Sequence, residues 1–206
     1  QAGRSNLSQQ YRGQRLNLEC EHHGEFNPST SPGLVFPQWI RLKHVGDTFT
    51  SLRSSNGVDW VEISFGDVVM PATILVGLNT NPDIDQAGAK LKVQYSKLSI
   101  AGADQGFVGT DIGNPIENGQ VAFGEEPGVV DVVAGGLRTW DSSDSFNFVH
   151  KTYTNDFDVK VRVNSVTQNG TPGGDPKAAL MARADLSPGS PNVSLNVVST
   201  RGYLEY

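Results

Sequence analysis

Apolar and polar residues alternate with a period of two along much of this chain. The clearest example is the segment 155–166, where every second residue is apolar and most of those between are polar or charged. Its apolar positions are Phe157, Val159, Val161 and Val163. Such alternation is typical of a β-strand with one buried face, whereas no window of about eleven residues keeps the apolar spacing of a helix. The pattern therefore predicts strands along most of the chain.

Turn residues separate the alternating segments. Asn56-Gly57 lies between two of them, which is the strongest short signal for a β-hairpin. Strands are predicted at 39–45, 47–55, 60–65, 72–80, 89–102, 144–153, 155–166 and 191–200, with two short ones inside 119–136 and the start of another at 202–206. Many short strands with turns between them predict an all-β antiparallel sandwich.

Two segments depart from simple alternation. In 89–102 the apolar positions change parity between Tyr95 and Leu98, which predicts a β-bulge at that point. The segment 176–185 is short and mostly apolar. Periodicity leaves both helix and strand open for it.

Composition narrows the classes of partner. The 206 residues carry a net charge of −6 and no cluster of Lys and Arg, which argues against nucleic acid as the ligand. No stretch of about 18 apolar residues occurs, so we expect no membrane insertion. Cys20 is the single cysteine, so no disulfide forms within the chain.

Several stretches resemble bacterial concanavalin A-like jelly-roll modules. FTSLRSSNGVDWVEI (49–63) resembles their F-x-x-x-x-S-x-D-G-x-x-W hairpin, and ILVGLNTNPD and KLKVQYSKLSI resemble the strands that follow it. Residues 144–166 and 177–199 resemble the first half of the same module, with Ala179 where a Gly is usual. The resemblance implies an extracellular or cell-surface antiparallel jelly-roll β-sandwich of bacterial origin.

The order of these stretches is rotated. Residues 1–103 resemble the C-terminal half of a sandwich module and 104–206 the N-terminal half, together one module's worth. The ends would then meet at an assembly seam formed by Gln1, Arg201, Tyr203 and Tyr206. Three arrangements explain this: one period of a tandem repeat, a circular permutant, or a sandwich completed between neighbouring subunits of a fibre. The first and third are favoured, because a permutation that opens a strand leaves an unpaired edge.

The sequence shows no catalytic pair. Related glucanases place carboxylates at E-x-D-x-x-E spacing on one strand, and no such triplet occurs here. Asp156 and Asp158 share a face, but it is the one predicted to face solvent. The stretch CEHHGE (20–25) is interpreted as a polar loop, with a zinc site as the alternative. We therefore predict a protein that is not an enzyme.

Calcium is favoured over zinc as a bound metal ion. The loops 109–115 and 141–145 offer four oxygen ligands, and related sandwiches often hold calcium in such loops. The candidate ligands are Asp111, Asn114, Asp141 and Asp144. The alternative is that these Asp and Asn residues only form turns.

Three tryptophans are candidates for stacking on sugars. Trp140, between GGLR and DSSDS, is the best candidate for an exposed ring, and Trp39 is ambiguous. Packing in the core is the favoured alternative for each of the three. Trp60 occupies the hairpin position of the family and is predicted to be core.

Two functions follow from these features. The first is a non-catalytic structural or adhesive module that associates with itself, as tandem repeats or as a head-to-tail fibre. The alternative is a carbohydrate-binding module, assisted by calcium, whose partner is a polysaccharide.

Overall fold

The computed structural model describes residues 35–101, 105–137, 139, 142–170, 174–199 and 203–205. They form two antiparallel β-sheets with a shared core, which confirms the predicted all-β sandwich. Within the described ranges there is no helix long and apolar enough to cross a membrane.

Each sheet is defined by its strands in spatial order. The larger sheet consists of β3 (Val61–Asp67), β2 (Thr48–Ser54), β1 (Gln38–Val45), β10 (Phe157–Asn169), β5 (Lys90–Ile100), β8 (Val130–Ala134) and β7 (Gln120–Phe123). The smaller sheet consists of β13 (Tyr203–Glu205), β12 (Asn192–Val198), β11 (Lys177–Arg183), β4 (Thr73–Asn81), β9 (Phe146–Thr154) and β6 (Val108–Ile112).

The two halves of the sequence interleave within one chain. In the larger sheet β1 lies between β2 and β10, and β5 lies between β10 and β8. In the smaller sheet β4 lies between β11 and β9. Strands β1 to β5 and strands β6 to β13 therefore both contribute to each of the two sheets.

The register of β1 and β10 follows from their apolar faces. Ile40 lies opposite Val161 and Leu42 opposite Val159, so all four side chains point into the core. The residues between them point outward. A shift of one residue would turn the charged positions inward, so burial of the apolar face specifies this pairing.

The structure shows the conformation of the two segments, 89–102 and 176–185, that depart from simple alternation. Lys97 has a left-handed backbone conformation with φ of 57°, and the pairing of β5 with β10 shifts beside it, which confirms the predicted bulge. The segment left open as helix or strand forms β11, between β4 and β12. All seven residues of β11 are buried, which explains why its sequence shows no alternation.

The core between the sheets is apolar, and it encloses two buried hydroxyl groups that bond to each other. Its fully buried members include Leu78, Leu91, Val93, Leu98, Val163, Leu180 and Leu195. The Tyr95 hydroxyl lies 2.8 Å from the Thr80 hydroxyl. Burial raises the pKa of Tyr95, so this side chain is a neutral phenol in the folded protein.

A second apolar cluster covers part of the opposite face of the smaller sheet. It consists of Ile112, Phe146, Phe148 and Met181, with Leu75 packed against it. The rings of Phe146 and Phe148 meet edge to face at 5.8 Å between centroids. The smaller sheet is therefore buried on both faces in this region.

Replacing Leu180 by alanine tests the position of the core. Leu180 is fully buried, so Leu180→Ala should lower the free energy of unfolding by about 2–5 kcal/mol. Leu186 has 42% of its surface exposed, and Leu186→Ala should change stability by less than about 0.5 kcal/mol. Urea unfolding of both variants measures the difference. Equal losses in the two variants would contradict this core.

Candidate functional site

Two tryptophans lie together on the outer face of the larger sheet. Trp39 belongs to β1, and Trp60 directly precedes β3. Their rings meet edge to face, with centroids 6.4 Å apart and planes at 82°. Both are only partly buried, and neither belongs to a core cluster. We call them the indole pair.

The hairpin between β2 and β3 is built by its own side chains. The Ser54 hydroxyl accepts the N–H groups of Asn56 and Gly57, at 3.2 and 2.9 Å. The Asn56 side-chain oxygen accepts the N–H groups of Val58 and Asp59, both at 2.9 Å. These bonds satisfy the backbone of the turn and set the direction from which the chain enters β3.

Gly57 brings this hairpin against the first tryptophan. Its φ is +77°, in the left-handed region, and a Cβ atom there would lie 2.7 Å from the Trp39 ring. Only glycine fits both the backbone conformation and the contact. The hairpin therefore covers part of Trp39 and leaves the remaining part of the ring available.

An ion pair between Arg41 and Asp158 lies against the indole pair. Arg41 donates to both carboxylate oxygens of Asp158, from Nε at 2.7 Å and from Nη2 at 2.5 Å. The guanidinium carbon lies 5.2 Å from the centre of the Trp60 ring, a cation–π contact. These bonds from Arg41 hold the pKa of Asp158 below its usual value, so the carboxylate is ionised.

Further cations lie beside this pair. Arg41 lies directly opposite Lys160, Trp39 opposite Arg162, and Lys43 opposite Asp158. The outward side of β1 and β10 thus carries four cationic side chains in two adjacent rows. We call Arg41, Lys43, Lys160 and Arg162 the cationic strip.

A different charged pair lies on the smaller sheet. Arg183 and Asp144 are both fully buried, with Nη1 of Arg183 3.2 Å from a carboxylate oxygen of Asp144. Arg183 also donates to the backbone oxygens of Asp185 and Ser187, at 2.7 and 2.6 Å. Its guanidinium lies 5.2 Å from the Phe146 ring centre. This pair fixes the loop after β11 against the sheet.

Three of the four predicted calcium ligands lie in the described residues. The Asp111 carboxylate accepts the Gly119 N–H at 2.9 and 3.1 Å and the Asn147 side-chain amide at 2.8 Å. Asp144 is paired with Arg183.

The third predicted ligand, Asn114, is exposed in the loop after β6, with φ of 52°. Asp141 lies outside the described residues. No three His, Cys, Asp or Glu residues of the described ranges form a group that could hold a metal ion. The calcium site stays a prediction.

Most of the other predicted site residues lie outside the described residues. Trp140, Gln1, Arg201, Tyr206 and the CEHHGE loop lie outside the described residues, while the backbone of Tyr203 begins β13.

The prediction that Trp60 is core was wrong, because the residue precedes β3 and its ring packs over Arg41 on the outer face. Asp158 does lie on the outer face as predicted. Its pairing with Arg41 was missed, because the two residues are 117 positions apart and meet only through the register of β1 and β10.

Comparison of the chain with models of protein families, with curated proteins and with solved structures finds no match. The class of protein therefore rests on the fold. It is an all-β, two-sheet antiparallel sandwich, compatible with a jelly roll.

His150 lies on the same buried face as Arg183. Its Nε2 atom lies 3.1 Å from the Thr110 hydroxyl, and its ring stacks on Phe148 with centroids 5.0 Å apart. Burial lowers the pKa of His150, and the positive charge of Arg183 lowers it further. The folded protein therefore favours the neutral imidazole.

This preference makes stability depend on pH. Below about pH 6.5 the unfolded chain binds a proton at His150 that the folded chain does not bind. The free energy of unfolding therefore decreases as the pH is lowered, until the pH reaches the lowered pKa of His150 in the folded protein. His150→Gln should flatten this decline between about pH 7.5 and 5.5. Urea unfolding at a series of pH values measures the slope. An unchanged slope would show that His150 titrates alike in both states.

Proposed function

We propose that this chain is a non-catalytic carbohydrate-binding module of an extracellular bacterial protein, with a concanavalin A-like jelly-roll fold. The indole pair carries the proposal. Two large aromatic side chains that stay partly exposed on a sheet face, outside both apolar clusters, supply a surface for the C–H faces of sugar rings.

The polar groups around the indole pair suit binding of a sugar. Arg41 is held rigid by two hydrogen bonds to Asp158, so little side-chain freedom is lost when a ligand contacts it. Hydroxyl groups of a sugar find donors in the guanidinium and acceptors in the carboxylate. A few fixed polar groups beside an aromatic surface are the usual means by which a binding site sets the orientation of its ligand.

The same contacts argue for binding without catalysis. A glycosidase needs one carboxylic acid that keeps its proton and a second carboxylate a short distance away. Arg41 instead lowers the pKa of Asp158. Asp158 is thereby suited to orient Arg41 and unsuited to serve as a general acid.

Removing either tryptophan should weaken polysaccharide binding. Trp39→Ala and Trp60→Ala should each bind about twofold to tenfold more weakly, because a stacked ring contributes about 0.5–1.5 kcal/mol and about 1.4 kcal/mol is a factor of ten. A glycan array identifies the ligand, with and without a chelator to test calcium, and calorimetry measures affinity. Phe123→Ala is the control, because that ring is also exposed but lies in β7 at the sheet edge. Binding to no polysaccharide would refute the proposal.

A structural or adhesive role through self-association is the second candidate. Strand β3 is the edge of the larger sheet among the described residues, and it exposes 57% of Val61 and 54% of Phe65. The unpaired backbone groups of an edge strand are a template for pairing with another chain. Copies joined at this edge would form the fibre or surface array expected from the sequence.

A charge on this edge should block such association. Phe65→Lys should lower the fraction of dimers and larger species in sedimentation velocity at high protein concentration, because a lysine on an edge strand opposes pairing. Val108→Lys is the control, since Val108 is also 54% exposed but lies in β6 of the smaller sheet. A wild-type protein that stays monomeric at all concentrations would remove this candidate.

A further inference from the structure

The cationic strip is unusual for this chain. The sequence has 22 acidic and 16 basic residues, yet the outward side of β1 and β10 around the indole pair carries four cations and one carboxylate, Asp158. Arg41 and Lys160 lie directly opposite each other on adjacent strands. Like charges at directly opposite positions destabilise a sheet. Two exposed carboxylates, Asp59 and Glu62, flank Trp60 in the hairpin and in β3, whereas β1 and β10 themselves place only Asp158 among their outward cations.

The one carboxylate does not neutralise the strip. Asp158 gives both of its oxygens to Arg41. Within the described residues no hydrogen bond or ion pair joins the charged groups of Lys43, Lys160 or Arg162 to another group. Lys160 is exposed, and Lys43 and Arg162 are partly exposed. Three cationic groups therefore face solvent beside two partly exposed indoles.

We propose that the ligand of this face is an anionic polysaccharide, one whose sugars carry carboxylate or sulfate groups. The inference rests on the proposed function and specifies its ligand. The indole pair contacts the sugar rings, and Lys43, Lys160 and Arg162 bind the anionic groups. Arg162 is suited to bind a carboxylate or sulfate through two parallel hydrogen bonds. Asp158 holds Arg41 beneath Trp60 and away from this role.

The dimensions favour a chain over a single sugar. Arg162 lies opposite Trp39 at one end of the cationic strip, and Lys43 lies at the other end. Trp39 and Lys43 are four residues apart on β1, which is about 14 Å, and the rows on β1 and β10 are about 4.8 Å apart. Cations at both ends of such a strip reach anionic groups on successive sugars. Binding energy from several weak charge contacts then adds to stacking on the indole pair.

The test compares polymers that differ only in charge. Calorimetry with the full chain would use polygalacturonate against its methyl ester, and dextran sulfate against dextran. We expect binding to at least one anionic polymer about tenfold tighter than to its neutral partner, and weakening with added salt. Preference for polygalacturonate identifies carboxylates as the ligand groups, and preference for dextran sulfate identifies sulfates.

Variants assign the effect to the strip. Lys160→Gln and Arg162→Gln should each weaken anionic binding about threefold to tenfold and leave neutral binding unchanged. Lys160→Gln should unfold at nearly the same temperature as the wild type, because it removes both a like-charge contact with Arg41 and an attraction to Asp158. Lys151→Gln is the control, since Lys151 lies in β9 of the smaller sheet and bonds to the Gln105 backbone oxygen.

The outcomes separate the two proposals. Equal binding of charged and neutral polymers would overturn this inference and leave the carbohydrate-binding function in place. Binding of neither kind would overturn both. Binding of single-stranded DNA as tight as that of the anionic polysaccharides, with no effect of Trp39→Ala, would overturn the inference in favour of a general surface for polyanions.

Discussion

The pairing of β1 with β10 is the constraint on which the rest of the molecule depends. It joins the two halves of the chain, and its register is specified by the apolar side chains that both strands bury. The same register decides what appears on the other face. Because Ile40 must lie opposite Val161, Arg41 must lie opposite Lys160. Asp158 is two residues away from Lys160 on the same side of β10, within reach of Arg41. The candidate site is thus a consequence of core packing.

The two sheets use charge in different ways. On the larger sheet the ion pair of Arg41 with Asp158 is partly exposed, so water moderates both the cost and the gain of the interaction. On the smaller sheet Arg183 and Asp144 are fully buried. A buried pair is stabilising only when further hydrogen bonds compensate for lost hydration, and Arg183 makes such bonds to the loop after β11. The first pair supports a surface, and the second holds a loop.

The sequence predicted those features that depend on neighbours along the chain. Alternation identified β1 and β10, Asn56-Gly57 identified the hairpin, and a change of parity identified the bulge at Lys97. It left β11 open, because a strand buried on both faces has no alternation to read.

Features that depend on distant neighbours escaped sequence reasoning. Arg41 and Asp158 meet only through the register of β1 and β10. Trp60 was assigned to the core from its match to the family's hairpin position, and that match does not show on which side of the sheet the ring lies. Asp111 has a suitable side chain for calcium, but only the structure shows that backbone and amide N–H groups already contact its carboxylate.

The interleaving of the two halves has a consequence for biosynthesis. During translation β1 cannot pair with β10, and β4 cannot pair with β9 or β11, until these later strands have been synthesised. More than half of the 206 residues follow β4 in the sequence. Pairings between such distant segments close slowly, because a long loop must first be ordered. Until β10 leaves the ribosome, the apolar faces of β1 and β5 have no central strand to cover them. A nascent chain of this topology therefore exposes extended apolar segments of the kind that chaperones bind.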